Sequence, residues 1–272
     1  MSGPTILLTN DDGIDSPGFR RLYDTLEEHG EVVAVAPSTN RSAVGRSIDS
    51  TVTVDEHELG YSVDGSPSAC VVTGVTALGI DPDLVVSGIN LGTNLGAAML
   101  GRSGTVGAAI EAAYLGRPAI AVSMYVPFER IQGEFFEYRP DPESYDVGVH
   151  TFATLIERAG FAGAFDHADY LNVNVPMRED LERPELRVTR PADGYFTVAE
   201  DEGDRFSLRD RQFELLYAGE VGEDGLTDRG ALAEGAISVS PLIVPHHDVG
   251  EDVRSSIGAS LDAELVSELG LE

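Results

Sequence analysis

The stretch Thr5-Ile6-Leu7-Leu8-Thr9-Asn10-Asp11-Asp12-Gly13, continuing as Ile14-Asp15-Ser16-Pro17, decides the fold. A short apolar run stops at an Asn-Asp-Asp-Gly turn signal, which reads as a buried strand and its exit. Ser16 then reads as a helix N-cap with Pro17 in the first helical position. Phe19, Leu22, Tyr23 and Leu26 follow at the i, i+3, i+4, i+7 spacing of an amphipathic helix that Gly30 closes. Val32, Val33 and Val35 mark a second strand over residues 31–36. A strand, a helix and a strand in so little chain form a βαβ unit, so the two strands are expected to be parallel.

The same grammar continues outward. Leu84-Val85-Val86 reads as a strand followed by a glycine-rich loop from Ser87, and an alanine-rich helix spans 105–115. A strand over 118–124, a helix marked by Val149, Phe152, Ala153 and Ile156, and a strand over 170–175 complete the series. This alternation predicts an α/β fold, a Rossmann-like three-layer sandwich around a mainly parallel sheet. Beyond Pro176 the pattern changes: Arg187-Val188-Thr189, the surroundings of Phe196, and residues 206–217 alternate in polarity, with turn residues at 201–204. That predicts an antiparallel hairpin extension. The core is expected over 1–185, and residues 186–272 are expected to hold the extension, a return to the core and a C-terminal segment, all within one structural domain. Residues 127–143, with Phe135, Phe136 and Tyr138 but no clean period, read as a loop near the site, and 261–271 as a short terminal helix.

Composition narrows the function classes. The 272 residues carry 18 basic against 47 acidic side chains, a formal charge of −29, and every basic residue is arginine. The acids are scattered among periodic apolar segments, unlike an acidic tail, and fit a protein adapted to molar salt, where the Debye length is only about 3 Å. Such a surface repels nucleic acid and anionic membranes at low salt, which argues against either as the main partner. It also obstructs an anionic substrate unless a cation is bound in the site. No apolar run reaches the roughly 18 residues needed to cross a bilayer, and the first residues lack the basic and apolar segments of a secretory signal. The single cysteine, Cys70, excludes an internal disulfide and fits a reducing cytosol.

In open α/β sheets ligands bind beyond the carboxyl ends of the strands. The loops at 10–16, 37–47 and 87–105 are polar, and they lie at such ends. Adjacent carboxylates at Asp11 and Asp12 repel each other, and a hard divalent cation with oxygen ligands would relieve that. A turn using Asp for local backbone hydrogen bonds accounts for the pair equally well. Ser42, in Asn40-Arg41-Ser42, could give a hydroxyl ligand with Arg41 near an anion, or be an ordinary loop serine. Asn90 could donate a carbonyl oxygen to the same cation, with Asn94 following in a turn made by Gly92 and Gly96. Ser103-Gly104-Thr105 opens the alanine-rich helix, where free N–H groups and the positive dipole end suit a phosphate; simple N-capping by Ser103 is the competing account. His246-His247-Asp248 reads as a surface turn, since adjacent side chains on extended backbone point apart. No G-x-G-x-x-G after the first strand, Walker A pattern or G-x-S-x-G elbow occurs.

Together these segments resemble one family. Residues 6–14 with Ser16-Pro17-Gly18 closely resemble the opening motif of the SurE family, stationary-phase survival proteins that act as nucleoside monophosphate phosphatases. Ala36-Pro37 leading to Asn40-Arg41-Ser42 is similar to its second motif, and Val86-Ser87-Gly88-Ile89-Asn90, Asn94-Leu95-Gly96 and Ser103-Gly104-Thr105-Val106 to its third. Residues 171–176 resemble a structural motif late in the core, and Thr227-Asp228 through Ser238-Val239-Ser240-Pro241-Leu242 the C-terminal signature. The order is preserved from residue 6 to about 242.

The resemblance implies a 5′-nucleotidase with one divalent metal ion per subunit, Mg²⁺ or Mn²⁺, on Asp11, Asp12, Ser42 and Asn90. Asn94, Ser103, Gly104 and Thr105 would lie against the substrate phosphate. It also implies a cytoplasmic homodimer or homotetramer that exchanges the hairpin extension between subunits. The sequence departs from the family pattern at Ala97 and Ala98, at Ala69 and at Arg102, where acids, Asp and an aromatic are common; none of these is an expected metal ligand. The implied reaction is metal-assisted hydrolysis of a nucleoside monophosphate, with Asp11 or Asp12 orienting the attacking water. A covalent aspartyl mechanism needs aspartates one residue apart, which would put the amide Asn10 in the nucleophile's place. A non-catalytic nucleotide sensor on the same fold is the alternative from another class.

Overall fold

The computed structural model describes residues 3–126, 140–176, 185–218, 220 and 223–244. The stretch at 127–139, the His246-His247-Asp248 tract and the expected helix at 261–271 lie outside the described residues. The opening unit forms as its spacing predicts: β1 (Thr5–Thr9), α1 (Pro17–Leu26) with Ser16 as N-cap, and β2 (Glu31–Pro37) parallel to β1. A short antiparallel pair, β3 (Val54–His57) and β4 (Gly60–Val63), and the helix α2 (Pro67–Val72) follow. α2 runs on directly into a π-helical stretch over Thr73–Ala77.

β5 (Leu84–Leu91) continues through Asn90, past the glycine-rich loop expected from Ser87. Gly88 allows this: its φ of +141° and its contact with the Val122 carbonyl leave no room for a Cβ. Pairing with β6 (Ala119–Tyr125) slips after Ser87 and resumes at Asn90 with Ser123. Between these strands lie the short helix α3 (Ala97–Leu100) and α4 (Gly104–Tyr114), then α5 (Asp146–Ala164) and β7 (Tyr170–Pro176) after them.

In the extension, β8 (Leu186–Val188) pairs with the final strand β11 (Ile237–Leu242), which lies antiparallel on β7, so both extend the main sheet. The expected hairpin is β9 (Thr197–Asp201) with β10 (Phe206–Asp210). The strand-like alternation ends there: α6 (Gln212–Ala218) is helical where residues 206–217 were expected to stay extended. The Asp210 carboxylate caps its start by accepting the Gln212 N–H. α7 (Asp228–Ala233) is capped by the Thr227 hydroxyl.

The sheet order is β3-β4-β2-β1-β5-β6-β7-β11-β8. On β1, Ile6 and Leu8 face Phe19, Leu22 and Leu26 of α1 and Phe152 of α5, while Leu7 faces Cys70 and Val71 of α2 and Val106 and Ala109 of α4. That is the period of two expected of a strand buried on both faces. Full burial of a side chain such as Phe19 contributes about 1.5–3 kcal/mol. The chain runs from β1 to β2 on one side and resumes at β5 on the other. The topological switch point therefore lies beyond the carboxyl ends of β1 and β5. No helix among the described residues is long and apolar enough to cross a membrane.

Candidate metal and phosphate site

At the switch point the three polar loops meet on the aspartate pair. The Asn10 side chain, fully buried, closes the turn by donating to the Gly13 carbonyl at 2.9 Å and to the Ser16 hydroxyl at 3.0 Å. Asp11 is 3% exposed, and its Oδ1 accepts the Thr105 hydroxyl at 2.8 Å. Its backbone carbonyl accepts the Arg41 N–H at 2.6 Å. Asp12, half-buried, accepts Asn40 Nδ2 on Oδ1 at 3.1 Å and the Leu91 N–H on Oδ2 at 3.3 Å. The pair thus touches the segment carrying Ser42, the end of β5 beside Asn90, and the first turn of α4.

Ser42 is half-buried, its N–H held by Asn40 Oδ1 at 2.9 Å, and the next residue, Ala43, is left-handed at φ 61°. Asn90 turns its Nδ2 to the Gly92 carbonyl at 2.6 Å, which leaves its side-chain oxygen as the end free to ligate. Asn94 is buried: its Nδ2 donates to Ser123 at 2.8 Å, its N–H to Asn174, and its carbonyl accepts Asn172 and Asn174. Ser103 caps Val106 through its hydroxyl and spends its own N–H on the Met99 carbonyl. Thr105 is committed to Asp11 through its hydroxyl. Of the expected phosphate contacts, Gly104 and Thr105 stand in the first turn of α4, where backbone N–H groups have no intrahelical acceptor.

Burial pushes the Asp11 carboxyl up to about 7; the Asp12 charge adds to this, and the Thr105 hydrogen bonds oppose it. The charge of a divalent cation would offset both raising causes. The donors present suit one: two carboxylates, a hydroxyl and an amide oxygen are the hard oxygen ligands such an ion takes. Space is kept as well, since a Cβ on Gly104 would stand 3.1 Å from Asp11 Oδ2 and 3.3 Å from the Pro67 ring. Among the described residues no group of three or more His, Cys, Asp or Glu side chains is assembled for a metal. The two-carboxylate set is therefore the arrangement to weigh.

Sequence reading missed Ser123 and the support for Asn94. The available signal was Asn172 and Asn174, two buried amides on one face of an otherwise apolar strand. Asp228, read from sequence only as part of the C-terminal signature and given no role, is fully buried and accepts the N–H groups of Gly96 at 2.8 Å and Ala192 at 3.0 Å.

A switch-point crevice with paired carboxylates against a helix N-terminus defines a Rossmann-like α/β protein suited to a cation and an anion side by side. The family model of the survival protein SurE matches residues 6–197. A 5′-nucleotidase SurE of Haloarcula marismortui is 50% identical over 264 residues, 97% of each chain. That of Halobacterium salinarum is 48% identical over 93% of this chain and 96% of its own. The crystal structure of the SurE protein from Aquifex aeolicus superposes with a TM-score of 0.73 at 30% identity, covering 95% of this chain and 100% of its own. The chain belongs to the SurE family.

Proposed function

We propose that this chain is a 5′-nucleotidase that hydrolyses nucleoside monophosphates to nucleoside and phosphate with a divalent ion, Mg²⁺ or Mn²⁺, held by Asp11, Asp12, Ser42 and Asn90. The observation that carries the reading is the Asp11 carboxylate, buried at the switch point and hydrogen-bonded to the first turn of α4 through Thr105 at 2.8 Å. It joins the cation side of the site to the anion side. The relatives named as 5′-nucleotidases, matching nearly the whole chain, support it from sequence.

When bound, such an ion would offset the charge of the aspartate pair, polarise a phosphate oxygen and lower the pKa of a water. The chain's own residues do the rest. The first-turn N–H groups of Gly104 and Thr105, with Ser103 and Asn94 around them, receive the phosphate oxygens and stabilise the charge that develops on them. Thr105 keeps Asp11 oriented. One carboxylate of the pair would orient the attacking water, and the proton that water gives up ends on the departing nucleoside oxygen, so that nucleoside and phosphate are released. On a chain of charge −29 the ion also gives an anion a local positive target.

The exposed apolar residues Val188, Phe206, Leu208 and Leu226, all on the extension, support a homodimer or homotetramer assembled through it. The acidic surface and the single buried cysteine support a cytoplasm rich in salt. The test is phosphate release from nucleoside 5′- and 3′-monophosphates in molar KCl with Mg²⁺, Mn²⁺ or chelator. Release that requires the metal is expected. Tight binding without release would return the non-catalytic sensor.

A further inference from the structure

Arg102 is singular in its surroundings. Among the arginines whose side chains are described, the others each lie within ion-pair distance of a carboxylate, as in Arg21–Asp146, Arg41–Asp64 and Arg46–Glu111. Arg102, on a chain of charge −29, does not. Its guanidinium lies 5.4 Å from the Tyr195 ring centroid and donates to the Tyr195 hydroxyl at 2.8 Å and to Thr197 Oγ1 at 2.9 Å. Tyr195 itself is 61% exposed, a large aromatic surface left open to solvent. The pair's position is fixed on the site side as well. Arg102 immediately precedes Ser103, the N-cap of α4, and its carbonyl accepts the Gly45 N–H at 3.0 Å from the loop that carries Ser42.

The geometry points to the Arg102–Tyr195 stack as the platform that receives the nucleobase, a specificity-determining pair that rests on the nucleotidase reading of the site. A phosphate at the first turn of α4 brings the rest of a mononucleotide within reach of the side chain of the preceding residue. A guanidinium is planar and weakly hydrated, so it presents a face for stacking as well as a charge. In molar salt the Debye length of about 3 Å screens the charge beyond contact, and stacking is what persists. Stacking accepts any base, since every base has a π-face, so discrimination among bases is expected to be weak. Discrimination against phosphomonoesters that lack a base is expected to be strong.

The test compares a nucleoside 5′-monophosphate with ribose 5-phosphate, which lacks only the base. Each is measured with Mn²⁺ in molar KCl, ribose 5-phosphate as substrate or as competitive inhibitor. Arg102→Ala and Tyr195→Ala are each expected to raise KM for the nucleotide about tenfold at little change in kcat. The constants for ribose 5-phosphate should stay as in the wild type, and thermal melting should be unchanged because both side chains are exposed. Arg102→Lys, which keeps the charge and loses the plane, should resemble Arg102→Ala. Equal weakening toward both ligands, full rescue by lysine, or no effect in either variant would overturn the platform. Absence of phosphate release by the wild-type chain with every metal would instead overturn the nucleotidase reading beneath it.

Discussion

The Thr105 hydroxyl donates to Asp11 Oδ1 at 2.8 Å, linking residues 94 positions apart in sequence at the floor of the site. Both side chains are buried, so water cannot replace the bond. Thr105→Val keeps the shape and removes the donor. The expected result is a loss of about 1–2 kcal/mol in stability and roughly a tenfold fall in kcat, with Thr105→Ser restoring most of both. Urea denaturation and steady-state phosphate release check the pair of outcomes.

Asp11 also sets a pH dependence. Its carboxyl ionises near 3.8 in the unfolded chain and at about 7 when folded without metal. Between those values the folded chain holds the extra proton, so rising pH withdraws stability through that window, to a total on the order of 4 kcal/mol. Metal-free protein should therefore lose melting temperature from pH 4 to 7 more steeply than Asp11→Asn, which has no such proton. Divalent ion displaces the proton, so its affinity should fall about tenfold per pH unit below 7. Calorimetric Mn²⁺ titrations at several pH values measure this; an affinity flat from pH 5 to 7 would refute it.

Asp12 is tied to two loops, through Asn40 at 3.1 Å and the Leu91 N–H at 3.3 Å. Asp12→Asn retains an oxygen for one of these donors and removes the charge. Phosphatase activity is expected to fall at least about a hundredfold while the circular dichroism spectrum is retained. Near-normal turnover would sink the metal assignment.

How far the sequence could be read depended on what each segment had to satisfy locally. The βαβ opening was legible because Ser16, Pro17 and the 3.6-residue spacing of Phe19, Leu22, Tyr23 and Leu26 all specify one helix. The loops that reach the aspartate pair were legible for the same reason, as polar breaks after apolar strands. β5 was cut short in sequence because Gly88 looks like a loop, whereas it serves the close approach to Val122. α6 was hidden by the alternation over residues 206–217, although a local signal was there in Asp210, whose carboxylate caps the Gln212 N–H. The commitments of Asn94 to Ser123 and of Thr105 to Asp11 are set by contacts between distant strands and helices, which no local pattern encodes.

Asp228 tests whether the extension supports the site. Its carboxylate, fully buried, accepts N–H groups from Gly96, Ala192 and Arg229, so it fastens the turn after Asn94 to α7. Burial raises its pKa, and these bonds together with the Arg229 charge oppose that rise. Arg229 beside it is 1% exposed, paired with Glu223 and set 4.8 Å from the Phe196 ring centroid, so neither member can turn to solvent. Asp228→Ala leaves the Gly96 and Ala192 N–H groups buried without their acceptor, a loss of about 3 kcal/mol. Asp228→Asn keeps one acceptor and should lose less. In both variants hydrogen exchange at Gly96 and Ala97 is expected to accelerate more than at the β1 amides. Uniform acceleration would mean that Asp228 stabilises the fold as a whole and does not specifically hold the site loop.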